Sequence, residues 1–235
     1  MKQILKEWRK YITEEEGRKV NIFLDMDGVL VDFPSALREY VKTNYTRSAE
    51  DLFPNSKSSR TLHRKLQALR LSDEGIDELY NRAEVKFQSG DEYNSEERMM
   101  SNYIFKVLVN NKALWLSMGK LVGADELVAA AFELADEVFV LTAQVDEASE
   151  EAKKEWIAQH FPEIDPRHVN VDRDKGGRLR SLISAGIVGE GDLNILIDDR
   201  LHFLESFRNA GGIGIQYDYE SPGSAFKELE RLISN

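Results

Sequence analysis

Apolar and polar positions along this chain follow two different periods. Val20-Asn21-Ile22-Phe23-Leu24 is a short β-rich run, and Val138-Phe139-Val140-Leu141, Val169-Asn170-Val171, Asn194-Ile195-Leu196-Ile197 and Ile213-Gly214-Ile215-Gln216-Tyr217 are of the same type. Such runs read as strands. Between them, apolar residues recur at helical spacing over about 124–135, 147–160, 177–186, 200–209 and 223–233. Asp146 stands where it can cap the second of these helices, and Gly211-Gly212 closes the fourth. Ile4, Leu5, Trp8, Tyr11 and Ile12 predict one more amphipathic helix, ended by Gly17.

Strands alternating with helices in this way predict an α/β fold, a mostly parallel five-stranded sheet with helices on both faces. Ligands of such sheets bind beyond the carboxyl ends of the strands. The stretch 34–118 breaks the rhythm: it is polar, its periodicities are helical (TLHRKLQALRL, DELYNRAEVKF, SNYIFKVLVNNKALWL), and it holds no convincing strand. It is therefore expected to be a helical cap inserted after the first strand, with residues 1–33 and 119–235 forming the core.

Composition narrows the function. The 235 residues, 42% hydrophobic and 31% charged, have the balance of a soluble globular protein, and no apolar run approaches a membrane span. The opening twenty residues are too charged for a signal-peptide apolar stretch, and the absence of cysteine excludes disulfides and thiolate metal sites. Both fit a cytoplasmic protein. A net charge of −11 disfavours polynucleotides, because it repels their backbones. A small phosphorylated substrate remains compatible, since a bound divalent cation reverses the local field.

The chemistry begins at Asp25-Met26-Asp27-Gly28-Val29-Leu30, directly after the first strand. Two carboxylates two residues apart at a strand end repel each other, and a cation resolves the repulsion. A carboxylate beside a metal can attack phosphorus, and a second can protonate the leaving alkoxide and then activate water. Asp25 is the candidate nucleophile and Asp27 the candidate acid and base. Asp198 and Asp199 follow another strand; magnesium takes one or two carboxylates plus water and phosphate, so Asp198 is the candidate further ligand and Asp199 a ligand or its neighbouring acceptor. Thr142 offers a hydroxyl, and the turn through Ala143 and Gln144 offers backbone N–H groups, for phosphate oxygens. Lys175, just after the third strand, supplies a positive charge; Lys153 and Lys154, one helix earlier, are its rivals. The histidines, His63, His160, His168 and His202, have no paired ligand spacing and read as surface or helix-end residues.

In this order the DxDGVL, LT, Lys and IDD elements resemble the four motifs of the haloacid dehalogenase superfamily phosphatases. Within it, Asp25 to Phe33, Gly123-Ala124 with Leu141-Thr142-Ala143, Asp172-Arg173-Asp174-Lys175 and Leu196 to Arg200 are most similar to the 5′(3′)-deoxyribonucleotidases. The resemblance covers about 20–33 and 113–200 and is thin over the insertion. It implies a Rossmann-like core with a helical cap, and hydrolysis of (deoxy)ribonucleoside monophosphates through an aspartyl-phosphate. It further implies Mg²⁺ held by the Asp25 and Asp198 carboxylates and the Asp27 backbone carbonyl, and a base pocket lined by Phe33. Asp at position 27, where the related ATPases carry Thr, implies turnover by water. Gln144 stands where the family commonly has Pro, and the 23 positions from Lys175 to Asp198 exceed its usual gap. The extra residues, about 176–193, are expected to form an added helix near the mouth of the site. The alternatives are a phosphatase for another small phosphoester, such as a sugar phosphate, and a non-catalytic binding protein of the same fold. Monomer and homodimer stay open.

Overall fold

The computed structural model describes residues 18–89, 91–219 and 221–233. The helix expected at 4–12 lies outside them. Five strands form one sheet: β1 (Val20–Leu24), β2 (Glu137–Thr142), β3 (Val169–Val171), β4 (Leu193–Asp198) and β5 (Ile213–Gln216). All neighbours are parallel and the order is β3-β2-β1-β4-β5. The chain runs outward from β1 through β2 to β3, then crosses back to β4. The order thus reverses between β1 and β4, which opens a crevice at their carboxyl ends.

After β1 the chain turns sharply, with Leu30 N and Val31 N both donating to Met26 O at 2.9 Å. It then enters helices α1 (Phe33–Tyr45), α2 (Ala49–Leu52), α3 (Lys57–Gln67), α4 (Asp73–Ser89), α5 (Ser95–Leu108) and α6 (Lys112–Ser117). Asp32 caps α1 by accepting from Ser35 N, and Asn94 with Glu97 forms a capping box on α5. Leu37, Val41, Leu66, Ile76, Met100 and Tyr103 are buried, so these helices pack on an apolar interior continuous with that of the sheet. The way out of the segment is tied to the way in: Asp32 N donates to Gly119 O at 3.0 Å and Leu121 N to Leu30 O at 2.9 Å.

The remaining helices are crossovers: α7 (Ala124–Leu134) before β2, α8 (Glu147–His160) before β3, α9 (Lys175–Ser184) before β4, α10 (Leu201–Arg208) before β5, and α11 (Pro222–Ile233) after it. Side-chain alternation along the strands divides them between two faces. Phe23, Phe139, Leu141 and Leu196 pack with Leu179 and Leu182 of α9 and Leu204 and Phe207 of α10. Ile22, Leu24, Val140, Ile195 and Ile197 pack on the other face, with Leu127 of α7, Trp156 of α8 and Leu229 of α11. The expected five-stranded parallel α/β sheet with helices on both faces is what the chain forms.

Two expectations are corrected. The segment after Lys175 is no addition at the mouth: it is α9, the β3–β4 crossover itself, and its leucines are spent on the sheet. His63 is no surface residue: it is fully buried, with Nδ1 3.0 Å from the Tyr103 hydroxyl and Nε2 3.0 Å from Arg47 O. Among the described residues no helix is long and apolar enough to cross a membrane.

Candidate active site

The strand ends bring four carboxylates together. Asp25 follows β1 and its N–H donates to Ile197 O at 2.9 Å, so it leaves the sheet in register with β4. Asp198 ends β4, its Oδ1 accepting from Arg200 N at 2.9 Å. Carboxylate oxygens of Asp25, Asp198 and Asp199 lie within 4.8 Å of one another. Gly28, at φ 79°, carries the turn past this cluster; a Cβ there would stand 2.8 Å from Asp199 Oδ2. Only glycine serves on both counts, the left-handed backbone and the close approach.

Two buried lysines divide the carboxylates between them. Lys175 opens α9; its Nζ is 2.7 Å from Asp25 Oδ1 and donates to Asp198 Oδ2. Asp174 caps that helix by accepting from Gly177 N at 2.8 Å. Gly176 lies so close to the Ser206 backbone of α10 that a side chain would collide, and this close packing seats Lys175 under the cluster. Lys153, from α8, donates to Asp27 Oδ2 at 2.6 Å, to Thr142 Oγ1 at 3.0 Å and to Ala143 O at 2.5 Å. Its ammonium also sits 4.8 Å from the centre of the Trp115 ring. Thr142, the last residue of β2, is fully buried.

Burial disturbs the ionisation of this cluster. It pushes the Asp27 carboxyl up, Lys153 pulls it back and Asp25 adds to the rise, leaving it raised. Burial likewise raises Asp198 against the pull of Lys175, and raises Asp199 well above the ordinary carboxylate range. Lys175 is drawn down by burial, but Asp198 and Asp25 outweigh this and hold it charged. The Oδ1 atoms of Asp27 and Asp199 are buried and accept no hydrogen bond. Oxygen ligands with unsatisfied lone pairs, clustered and under-neutralised, are what a hard divalent cation needs, so the residues present fit Mg²⁺.

Above this floor a cavity open to solvent extends between the helices. Asp27, Gly28, Ala143, Gln144, Asp199 and Arg200 form its base; α1, α4, α5 and α6 form its wall. Phe33 lines the wall and stacks on Trp115, ring centres 5.4 Å apart.

No family model and no curated protein matches the chain, but solved structures do. A protein assigned as a phosphoglycolate phosphatase, from Lactobacillus delbrueckii subsp. bulgaricus, superposes with a TM-score of 0.53 at 16% identity, covering 92% of this chain and 98% of that one. A haloacid dehalogenase-like family hydrolase from Xanthomonas campestris gives 0.49 at 16%, covering 92% and 93%. The fold is shared with the first of these. At this identity the likeness speaks for the fold alone.

Within this fold, Asp25, Asp27, Thr142, Lys175 and Asp198 converge at one crevice, with Asp199 inside the carboxylate cluster and not behind it. Sequence reasoning treated Lys153 and Lys175 as rivals for one position; both reach the site, each on its own carboxylates. Lys154 does not, being half exposed and paired with Glu150 at 2.6 Å. Glu84 and Ile104 of the wall were not singled out, and no local signal distinguishes them from other helical positions.

Proposed function

We propose that this protein is a magnesium-dependent phosphomonoesterase acting through an aspartyl-phosphate, with residues 34–118 as its cap. One observation carries the reading. Asp25 and Asp27 share a strand end, but each is held by a different buried lysine, at 2.7 Å and 2.6 Å, beneath an open cavity. Paired carboxylates held apart in this way suit two different roles.

The Asp25 carboxylate attacks the phosphorus of the ester, and the bond from phosphorus to the organic oxygen breaks. The departing oxygen takes a proton from Asp27. Water then attacks the phosphorus, giving its proton to Asp27 and releasing phosphate and free Asp25. Asp25, Asp198 and Asp199, with the Asp27 carbonyl, would hold Mg²⁺, which when bound neutralises charge developing on the phosphoryl oxygens. Lys175 steadies the nucleophile's charge. Thr142 and the Ala143 backbone receive the phosphate, while Lys153 keeps Asp27 aimed.

For the substrate we favour a (deoxy)ribonucleoside monophosphate. Support comes from the wall: Phe33, Leu37, Ile104, Leu108 and Trp115 make it apolar and partly aromatic, suited to a flat ring and poorly suited to a sugar's hydroxyls. Purified protein with Mg²⁺ is expected to hydrolyse an aryl phosphate and to lose that activity with a chelator. Inactivity on this ester and on a broad phosphoester panel would sink the proposal.

A further inference from the structure

One charged group in the cavity is used by nothing described so far. Tyr80, Ala83 and Glu84 lie on one face of α4, and all three line the wall. A residue three or four positions from its neighbours on that face would ordinarily be apolar, as buried Ile76, Leu79 and Ala83 are. Glu84 instead presents a carboxyl to the cavity, and among the charged residues that line it, Asp27, Asp199 and Arg200 belong to the base.

No described protein group satisfies that carboxyl, which stays open to the water of the cavity. Among the described residues, no hydrogen bond or ion pair reaches Glu84. Burial raises its proton affinity, and Arg38 and Arg200 only partly oppose this. Arg38 is committed elsewhere: its Nη2 donates to Asn81 Oδ1 at 2.8 Å, its Nε lies 3.9 Å from Asp77, and its guanidinium sits over the Tyr80 ring. Arg200 Nε is 3.9 Å from Asp199 Oδ1. An acceptor in an apolar wall, hydrogen-bonded to no protein group, gains most from a donor brought by the ligand that displaces its water.

We propose that Glu84 is the specificity residue of the cavity: it accepts a hydrogen bond from an N–H on an uncharged ring of the leaving group, and it rejects phosphoesters carrying a second negative charge there. This deepens the phosphomonoesterase reading and rests on it for the chemistry, while the binding half stands without turnover. A site that accepts from a ligand's donor discriminates strongly against ligands that lack one, because such a ligand covers the acceptor and leaves it stranded.

The test compares wild type with Glu84→Gln, Glu84→Leu and Glu84→Arg on three probes with Mg²⁺. These are thymidine 5′-monophosphate, whose ring carries an imide N–H, phosphoglycolate, whose leaving group is anionic, and an aryl phosphate as common reference. Calorimetric binding of thymidine, which needs no turnover, runs beside the kinetics. Wild type is expected to prefer thymidine monophosphate over phosphoglycolate by about 100-fold or more in kcat/KM. Glu84→Leu should lower the ratio of thymidine monophosphate to aryl phosphate by at least about tenfold, chiefly through KM, and weaken thymidine binding to match. Glu84→Gln should restore part of that ratio, and Glu84→Arg should turn the preference toward phosphoglycolate. Unchanged ratios and unchanged thymidine affinity would overturn the Glu84 proposal while leaving the phosphatase reading intact. No hydrolysis of these probes or of a broad phosphoester panel by any form, with thymidine binding still weakened by Glu84→Leu, would sink the phosphatase reading and uphold the Glu84 contact.

Discussion

The floor and the wall of the cavity are built on opposite principles. The floor is charge held by the sheet: carboxylates at the ends of β1 and β4, with two buried ammoniums packed beneath and beside them. Its positions are set by backbone hydrogen bonds between strands, such as Asp25 N to Ile197 O at 2.9 Å. The wall is apolar surface gathered from four helices, where one carboxyl, Glu84, stands out. Rigid, densely charged floors suit a reaction that is the same for every substrate; a wall of side chains on helices can change without disturbing that chemistry. The two are joined at Trp115, which stacks on Phe33 in the wall and lies against the Lys153 ammonium of the floor.

The largest expected effect breaks the floor. Asp25→Asn should lower kcat by roughly 10⁴-fold or more on every ester alike, read by steady-state assay with Mg²⁺. A loss confined to one substrate would show that Asp25 belongs to recognition instead. Next come the lysines. Lys175→Ala leaves Asp25 and Asp198 buried without their cation and should cost about 3–5 kcal/mol of stability in metal-free protein, measured by denaturant unfolding. Added Mg²⁺ should raise the Tm of that variant more than it raises that of wild type. Lys153→Ala strips a cation from one carboxylate only and should destabilise less, yet lower activity through misplaced Asp27. An inert Lys153→Ala would return the site to a single lysine.

A smaller effect tests the wall. Phe33→Ala removes the ring that stacks on Trp115 and should raise KM for a ring-bearing ester by about tenfold, with kcat nearly kept. A fall in kcat of the same size would mean that floor and wall are mechanically one unit. The smallest effect lies behind the wall, at His63. Burial holds its pKa below the ordinary 6.5, so the folded state binds fewer protons than the unfolded chain. Its contribution is therefore complete above about pH 6.5 and is lost as pH falls below it. Thermal melts from pH 8 to pH 5 should lose part of their Tm to this group, and His63→Gln should flatten that part of the slope.

Much of the floor was legible before any coordinates, because strand ends are written locally. A β-rich run followed by Asp25 or Asp198 announces both an element and what it delivers. Lys153 was ambiguous for the opposite reason. It rides mid-helix on α8, and its reach to Asp27 depends on how that helix packs between Trp115 and β2, which no neighbouring residue encodes. His63 was misread because a polar residue in a charged helix shows no sign of the Tyr103 hydroxyl and Arg47 carbonyl that make its burial tolerable. The segment after Lys175 was misplaced because its length suggested an insertion, when the crossover from β3 past β2 and β1 to β4 needs a helix of that size.

By itself, then, the amino-acid order determined the strands, their alternation with helices, and the order in which Asp25, Asp27, Thr142, Lys175 and Asp198 arrive. Each of these is a property of a few adjacent residues. Only the tertiary structure decided that Asp25 and Asp27 are held by different lysines, that Asp199 joins the carboxylate cluster, and that Glu84 faces the same cavity as Asp27. Those relations join residues many tens of positions apart, through packing that has no local signature in the chain.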